Sequence, residues 1–531
     1  MFEIPFVNHH ILSSLIFCPL IGAILISLLP RRVSREGAFT VALINFVFSL
    51  HLMAHWSNAP ISQGRFRFEE LGQWLPQFGI NYHLGVDGLS VFLVLLTTFL
   101  APLVILASWN GVVERAKEFT ILLLILEAAA IGAFMALDLI LFYIFFELTL
   151  VPTYMLIAGW GGARRTQAAM KFFIYTMGGS LLMWVAMLYL YFRQSAATRS
   201  FDYAPMLETA RGLDLGGSGV ATFLFLAFAA AFAIKAPIFP LHTWLPDAYT
   251  EAPTAATVML AAVLSKMGIY GFLRFANPLF PETARSLAPI FIALAVVGIV
   301  YGALVAVAQT DIKRLLAYSS ISHVSLIILG VFVALLAGRN AELARTGATL
   351  QMVNHGLSTG ALFLLAGWLW ERRRTLQTNA FGGLAQSMPL YTVLFWVALF
   401  ASIGLPGLNG FVGEYLILQG AMSAGFWYAF GGATGVVLGA IYMLRMFRSA
   451  MYGETTREEN RTVRDVNARE TFVMALILAL IIWIGVAPQP FLGVIGGDGT
   501  QQNNIAQRNA TQQNATRQTM PELAQSDLST Q

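Results

Sequence analysis

The stretch FAAAFAIKAPIFPLHTWLPDAYTEAPTAATVMLAAVLSKMGIYGFLR, residues 228–274, decides the fold class. It joins two apolar blocks that each carry one lysine, Lys235 and Lys266, among Ala, Phe, Leu, Ile and Val. Pro237, Pro240 and Pro246 follow the first lysine, and each lacks the N–H that a helix needs, so the first helix should break just beyond its charge. Blocks of about 20 apolar residues match the ~30 Å hydrocarbon layer of a bilayer.

The rest of the chain repeats this pattern. Of 531 residues, 57% are hydrophobic and 11% charged, with a mean hydropathy of +0.68, where soluble domains carry roughly 25% charged residues. An ordinary soluble enzyme is excluded. Windows of about 19 residues give fourteen candidate spans, near 11–30, 37–56, 86–109, 118–136, 138–159, 166–192, 220–240, 252–273, 286–308, 314–336, 346–370, 388–420, 424–448 and 471–490. The expected fold is an all-α polytopic membrane protein.

Lys and Arg divide unevenly between alternate loops, nineteen on one side and eleven on the other, with Lys235 and Lys266 completing the total of 32. The excess marks the cytoplasmic face, which places both termini on the non-cytoplasmic side. The net charge of +4 therefore speaks of orientation in a membrane rather than of nucleic acid. The first apolar block has no basic residue ahead of it, so no cleavable signal is expected. A single cysteine, Cys18, excludes a disulfide within the chain and a cluster that needs about four thiolates. Within the external segment 57–85, residues 60–85 alternate briefly between turn signals and read as an external hairpin or cap. From Gly496 onward Gln, Asn and Thr dominate, and disorder is expected.

Ionisable groups inside apolar spans cost several kcal/mol unless paired, hydrated or neutralised. Glu147 lies mid-span in FFELTLVPTYML, and Pro152 promises a backbone irregularity one turn away. A carboxylate that moves relative to a desolvated lysine changes how tightly the lysine holds its proton. For unit charges at ~4 Å and an effective dielectric near 20 the effect is about 4 kcal/mol. Glu147 with Lys235 or Lys266 thus has the makings of a proton switch, against the plainer readings of a helix tie or of lysines that snorkel. His323 and His355 stand about nine residues into consecutive spans, at matched depth. Imidazole titrates near neutrality and suits a relay; packing, or paired axial ligation of haem, are the alternatives. Glu414 follows SIGLPGLNGFVG, whose glycines and Pro406 interrupt the span. Glu127 and Asp138 are weaker candidates, Asp138 as an interfacial cap; Arg164, Arg165 and Lys171, and Asp311 with Lys313 and Arg314, read as loop anchors.

Broken helices with a buried charge at corresponding places in two halves mark internally repeated transporters. Spans four to eight and nine to thirteen fit as two five-helix repeats, and an odd number of helices inverts the second. The expected organisation is 1–117 for the first three helices, 118–275 and 276–450 for the two repeats, 451–495 for a cytoplasmic loop and last helix, and 496–531 for the tail.

The strings MALDLILFYIFFELTLVPTYMLI (135–157), LHTWLPDAYTEAPTAATVMLAAVLSKMGIYGFLR (241–274), AQTDIKRLLAYSSISHVSL (308–326) and GLPGLNGFVGEYLIL (404–418) resemble the antiporter-like membrane subunits of proton-pumping NADH:quinone oxidoreductase, respiratory complex I, and of the related multisubunit cation/proton antiporters. The resemblance covers nearly all of residues 80–490, and the TEAPTAATVMLAAVLSKMG version is similar to the M type. It implies fourteen helices with inverted repeats in a bacterial inner membrane. It also implies Glu147 and Lys235 as an ion-pair switch, Lys266 as central relay, His323 and His355 as its continuation, and Glu414 as terminal carrier. NADH, FMN, iron–sulfur clusters and quinone would belong to partner subunits, with L-type and N-type subunits among the neighbours and no cofactor in this chain. A subunit of a multisubunit sodium/proton antiporter and a non-catalytic scaffold are the competing readings.

Overall fold

The computed structural model describes residues 10–62, 65–217, 219–455 and 457–497. The expected tail of 496–531 falls almost wholly outside them. Among the described residues ten helices are long and apolar enough to cross a bilayer, and Val91–Ala107, Gly219–Lys235 and Pro389–Ser402 are shorter apolar helices. The helices sort by depth in the bundle. The windows of Thr254–Leu279 and Ile312–Val333 are each 94% buried, whereas that of Arg31–Ala54 is 28% buried. Peripheral helices turn residues such as Ile174, Phe223 and Val437 outward, as expected where lipid is as apolar as the helix surface. Central helices carry the polar side chains, so Lys266, His323 and His355 are placed where water does not reach them directly.

Three departures from uniform helix shape the interior. In the Leu139–Trp160 span the helix is interrupted at Thr149, between Leu139–Leu148 and Leu150–Trp160; Pro152 has no N–H for the carbonyl four residues earlier. Thr254–Leu279 runs past the expected 252–273 and contains two π-helical segments, Leu260–Leu264 and Phe272–Ala276. The span 388–420, which its glycines and Pro406 are expected to interrupt, divides into two helices, Pro389–Ser402 and Asn409–Ala424. Between them Gly404 (φ +73°) and Gly407 (φ +92°) flank Pro406 in a conformation that side chains with a Cβ rarely adopt.

Residues 61–86 form an antiparallel sheet of three strands, β1 (Ile61–Ser62), β2 (Phe66–Leu75) and β3 (Ile80–Val86), in the order β1-β2-β3. Arg67 pairs with Val86, Leu71 with His83 and Leu75 with Ile80, with irregularities between Arg67 and Glu70 and between Gln73 and Leu75. Gly79 closes the β2–β3 turn at φ +63°, and a Cβ there would meet Arg199 O at 2.0 Å. The sheet is sewn to the bundle. Leu137 N donates to His83 O at 2.9 Å and Asn81 N to Asp138 Oδ2 at 3.1 Å. Asp138 also caps its helix by accepting from Ile140 N and Leu141 N, the capping role read from sequence.

Candidate functional site

The six ionisable side chains lie on six separate helical segments, and the structure links four of them by contact. Lys266 is fully buried. Its ammonium donates to Ala261 O, to Ser265 Oγ at 3.2 Å and to His355 Nδ1 at 2.7 Å. Ala261 belongs to the first π-helical segment, and the widened turn there leaves a carbonyl able to accept a side-chain donor. With Nδ1 accepting, the proton of a neutral His355 ring sits on Nε2, which faces Ser320 Oγ at 3.4 Å. Both nitrogens are thus engaged in a hydrogen-bonded chain.

The His355 and His323 rings are 5.8 Å apart between centroids, tilted by 43°. His323 Nδ1 lies 3.6 Å from Glu414 Oε1, and its buried Nε2 has no hydrogen-bond partner among the described residues. A cavity of about 10 Å³ lined by Ser322, His323, Ile403 and Glu414 adjoins this pair. That is room for about one water. Gln351 Nε2 donates to Glu414 Oε1 at 3.3 Å, and Asn354 Nδ2 donates to Gln351 Oε1 at 3.1 Å and to Asn409 O at 2.7 Å. The break before Asn409 is what lets the carboxylate approach: a Cβ on Gly404 would meet Glu414 Oε2 at 2.3 Å.

Lys235 is the last residue of its helix and is 3% exposed. The break beyond it is satisfied locally. Ile238 N takes the Ala233 carbonyl that Pro237 leaves free, and Trp244 Nε1 donates to Ile234 O at 2.9 Å. Lys235 Nζ donates to Thr149 Oγ1 at 2.9 Å and stands 4.7 Å from the centroid of the Phe146 ring. No ion pair within 4.0 Å joins it to Glu147, which is half-buried two residues before Thr149. The structure therefore places these two charges on adjacent elements with a threonine hydroxyl, not a carboxylate, on the lysine.

Glu127 is fully buried away from this row, accepting from Asn45 Nδ2 at 2.7 Å. Three of the loop basic residues hold carboxylates, Lys171 on Asp247 at 2.7 Å, Arg164 on Glu251 at 3.5 Å and Arg314 on Asp247 at 4.0 Å. Lys313, in contrast, is 9% exposed and donates to Ala252 O, so it is no surface anchor. Sequence reasoning missed Thr149, Ser265, Ser320, Gln351 and Asn354, because uncharged polar residues are unremarkable inside spans. The repeat Gln351, Asn354, His355, Ser358 at helical spacing was the available signal. It also passed over His242, buried in the break between Phe239 and Tyr301 with Nδ1 unpartnered among the described residues. Among the described residues no group of three or more His, Cys, Asp and Glu is arranged to hold a metal ion.

Comparison with known proteins gives concordant results. The family described as NADH:quinone oxidoreductase/Mrp antiporter matches residues 136–440, and that described as the amino terminus of NADH-ubiquinone oxidoreductase chain 4 matches residues 14–133. NADH-quinone oxidoreductase subunit M of Rhodobacter capsulatus is 42% identical over 499 residues, covering 92% of this chain and 95% of that protein. A chain of respiratory complex I from Thermus thermophilus superposes with a TM-score of 0.80 at 32% identity, covering 92% of this chain and 99% of that one. A chain of the Mrp complex from Dietzia shares the fold at a TM-score of 0.80 and 19% identity, over 93% and 97% of the two chains.

Proposed function

The chain belongs to the antiporter-like membrane subunits of NADH:quinone oxidoreductase, of the subunit M or chain 4 kind, and from that premise we propose that the buried row is its proton path. As a membrane subunit of the oxidoreductase it is an antiporter-like proton-translocation module. In the proposed path a change in the separation of Glu147 and Lys235 sets the charge felt at Lys266. Lys266 passes its proton to His355 Nδ1, the ring releases the proton on Nε2 toward His323, and Glu414 receives it. The observation that carries this reading is the run of contacts from Lys266 through His355 and His323 to Glu414.

The finer architecture is part of the same proposal. Fourteen crossings, with residues 118–275 and 276–450 as inverted repeats, put the breaks after Lys235 and before Glu414 at corresponding places. The Lys- and Arg-rich loops face the cytoplasm and the β-sheet faces the other side. Residues 1–117 and 451–495 flank the repeats. NADH oxidation, flavin, iron–sulfur centres and quinone reduction sit in partner subunits, and L-type and N-type subunits flank this one in a bacterial inner membrane.

The test is Glu147→Gln or Lys235→Met in the assembled enzyme reconstituted into proteoliposomes. Loss of a proton-transfer group should slow NADH-driven pumping by ~10²-fold. Unchanged pumping with intact assembly would sink the assignment.

A further inference from the structure

A cavity of about 810 Å³ opens between the loop 108–114, the turn at Gly161 and Gly162, residues 250–255, the start of Ile312–Val333 and residues 367–377. It lies on the face away from the sheet. Lys313 lines it from the first turn of Ile312–Val333. A cation is disfavoured at a helix N-terminus, and burying an ammonium costs several kcal/mol. A long basic chain at a span border ordinarily snorkels, as neighbouring Arg314 does, with a 32% exposed side chain that reaches 4.0 Å from Asp247. Lys313 instead turns inward, and among the described residues Ala252 O is the one acceptor of its three donors. The charged groups facing it are Asp311 beside it, Glu251 on Leu245–Glu251, and Glu114, Arg165, Glu371 and Arg374 around the cavity.

From Ala252 a set of hydroxyls continues inward. Thr257 Oγ1 reaches Ala252 O at 3.2 Å and Tyr249 O at 3.1 Å. The Tyr249 hydroxyl is fully buried, donates to Leu260 O at 3.1 Å and lies beside Ser265. Ser265 Oγ in turn accepts from Lys266 Nζ at 3.2 Å. Thr257 and Lys266 are nine residues apart on one helix, ~14 Å, and these side chains divide that distance. We propose that Lys313 and the hydroxyls of Thr257, Tyr249 and Ser265 load Lys266 with protons from the cavity. A proton enters on the Lys313 amine from cavity water, leaves it for the hydroxyls and any water between them, and ends on the Lys266 amine, restoring Lys313 to receive the next.

This rests on Lys266 as the relay, so Lys266→Met is the control. The complete enzyme, reconstituted into proteoliposomes, is driven with NADH while the pH of each compartment is varied separately and proton uptake is followed with a pH-sensitive dye. Lys313→Met should slow pumping by ~10²-fold and abolish its dependence on the pH of the cavity-facing compartment. Lys313→His should recover most of the rate with the profile moved to lower pH, since imidazole titrates near 6.5 and an ammonium near 10.4. Wild-type rate and profile in Lys313→Met, with pumping lost in Lys266→Met, overturn the loading route and leave the relay standing. Wild-type pumping in Lys266→Met overturns the relay itself. Loss in Lys313→Met without recovery in Lys313→His assigns the lysine to structure and overturns the route. If Lys313→Met fails to assemble, Tyr249→Phe decides: it keeps the ring, a fall of ~10²-fold supports the route, and the wild-type rate overturns it.

Discussion

From Thr254 to Lys266 the central helix meets an open cavity, a lysine and three hydroxyls; from Lys266 to Leu279 the same helix meets a closed ion pair. Eight residues beyond Lys266, Arg274 is fully buried and grips Asp87 with two hydrogen bonds of 2.8 and 2.5 Å. Arg65 adds a contact to Asp87 at 3.1 Å. Tyr270 OH accepts from Arg274 Nε and donates to Phe134 O, both at 3.1 Å, while Phe66 lies against both guanidinium groups. The buried Asp87 carboxylate is thus met by two guanidinium groups at hydrogen-bond distance. Arginine does not give up its proton in proteins. The two ends therefore differ in kind: lysine and hydroxyls exchange protons, and a saturated Arg–Asp pair seals.

Breaking the seal should have the largest effect. Arg274→Met leaves Asp87 buried with one cation, and removing one partner of a buried pair costs about 3–5 kcal/mol. The expected outcome is a lower thermal midpoint of the purified enzyme together with faster passive proton entry into proteoliposomes. Unchanged stability and permeability would mean that the pair seals nothing.

A gentler comparison uses two buried tyrosines on either side of Lys266. Tyr249→Phe removes a hydroxyl from the open end and should slow pumping, whereas Tyr270→Phe removes one from the sealed end. The latter should lower stability by about 1 kcal/mol, a typical net hydrogen bond, and leave pumping rates alone. Equal slowing in both would erase the distinction between the ends.

The smallest effect concerns the sheet whose strand β2 follows Arg65. His83 Nδ1 lies 2.9 Å from Asp202 and Nε2 2.6 Å from Glu69. Burial alone would lower its proton affinity, but Asp202 and Glu69 together raise its pKa above the ordinary 6.5. A raised pKa means stability that is full below about pH 6.5 and lost as pH climbs through the higher folded value. Limited proteolysis of the sheet should accordingly quicken as pH rises through that window, and His83→Gln should flatten the trend.

How much of this was legible follows from the same contrast. Lys235, Lys266, His323, His355 and Glu414 stand out because an ionisable group in an apolar block has no bland surroundings to hide it. Lys313 sits in DIKR at a span border, where charge is ordinary, and only the fold shows that it turns inward while Arg314 turns out. Arg274 ends the string GFLR and looks interfacial; its partner Asp87 is 187 residues away, a pairing that no local pattern carries. Both helix breaks beside a charge are announced by their residues, Pro237 and Pro240 after Lys235 and Gly404, Pro406 and Gly407 before Glu414. Neither π-helical segment, LAAVL or FLRFA, carries a proline or glycine to announce it.

The most direct test of the account is Lys266→Met in the fully assembled enzyme, with NADH-driven proton uptake measured in proteoliposomes beside the assembly level. Lys266 is where the open end and the histidine row meet, so pumping should fall by ~10²-fold while assembly is retained. Wild-type pumping from an assembled Lys266→Met enzyme would contradict it.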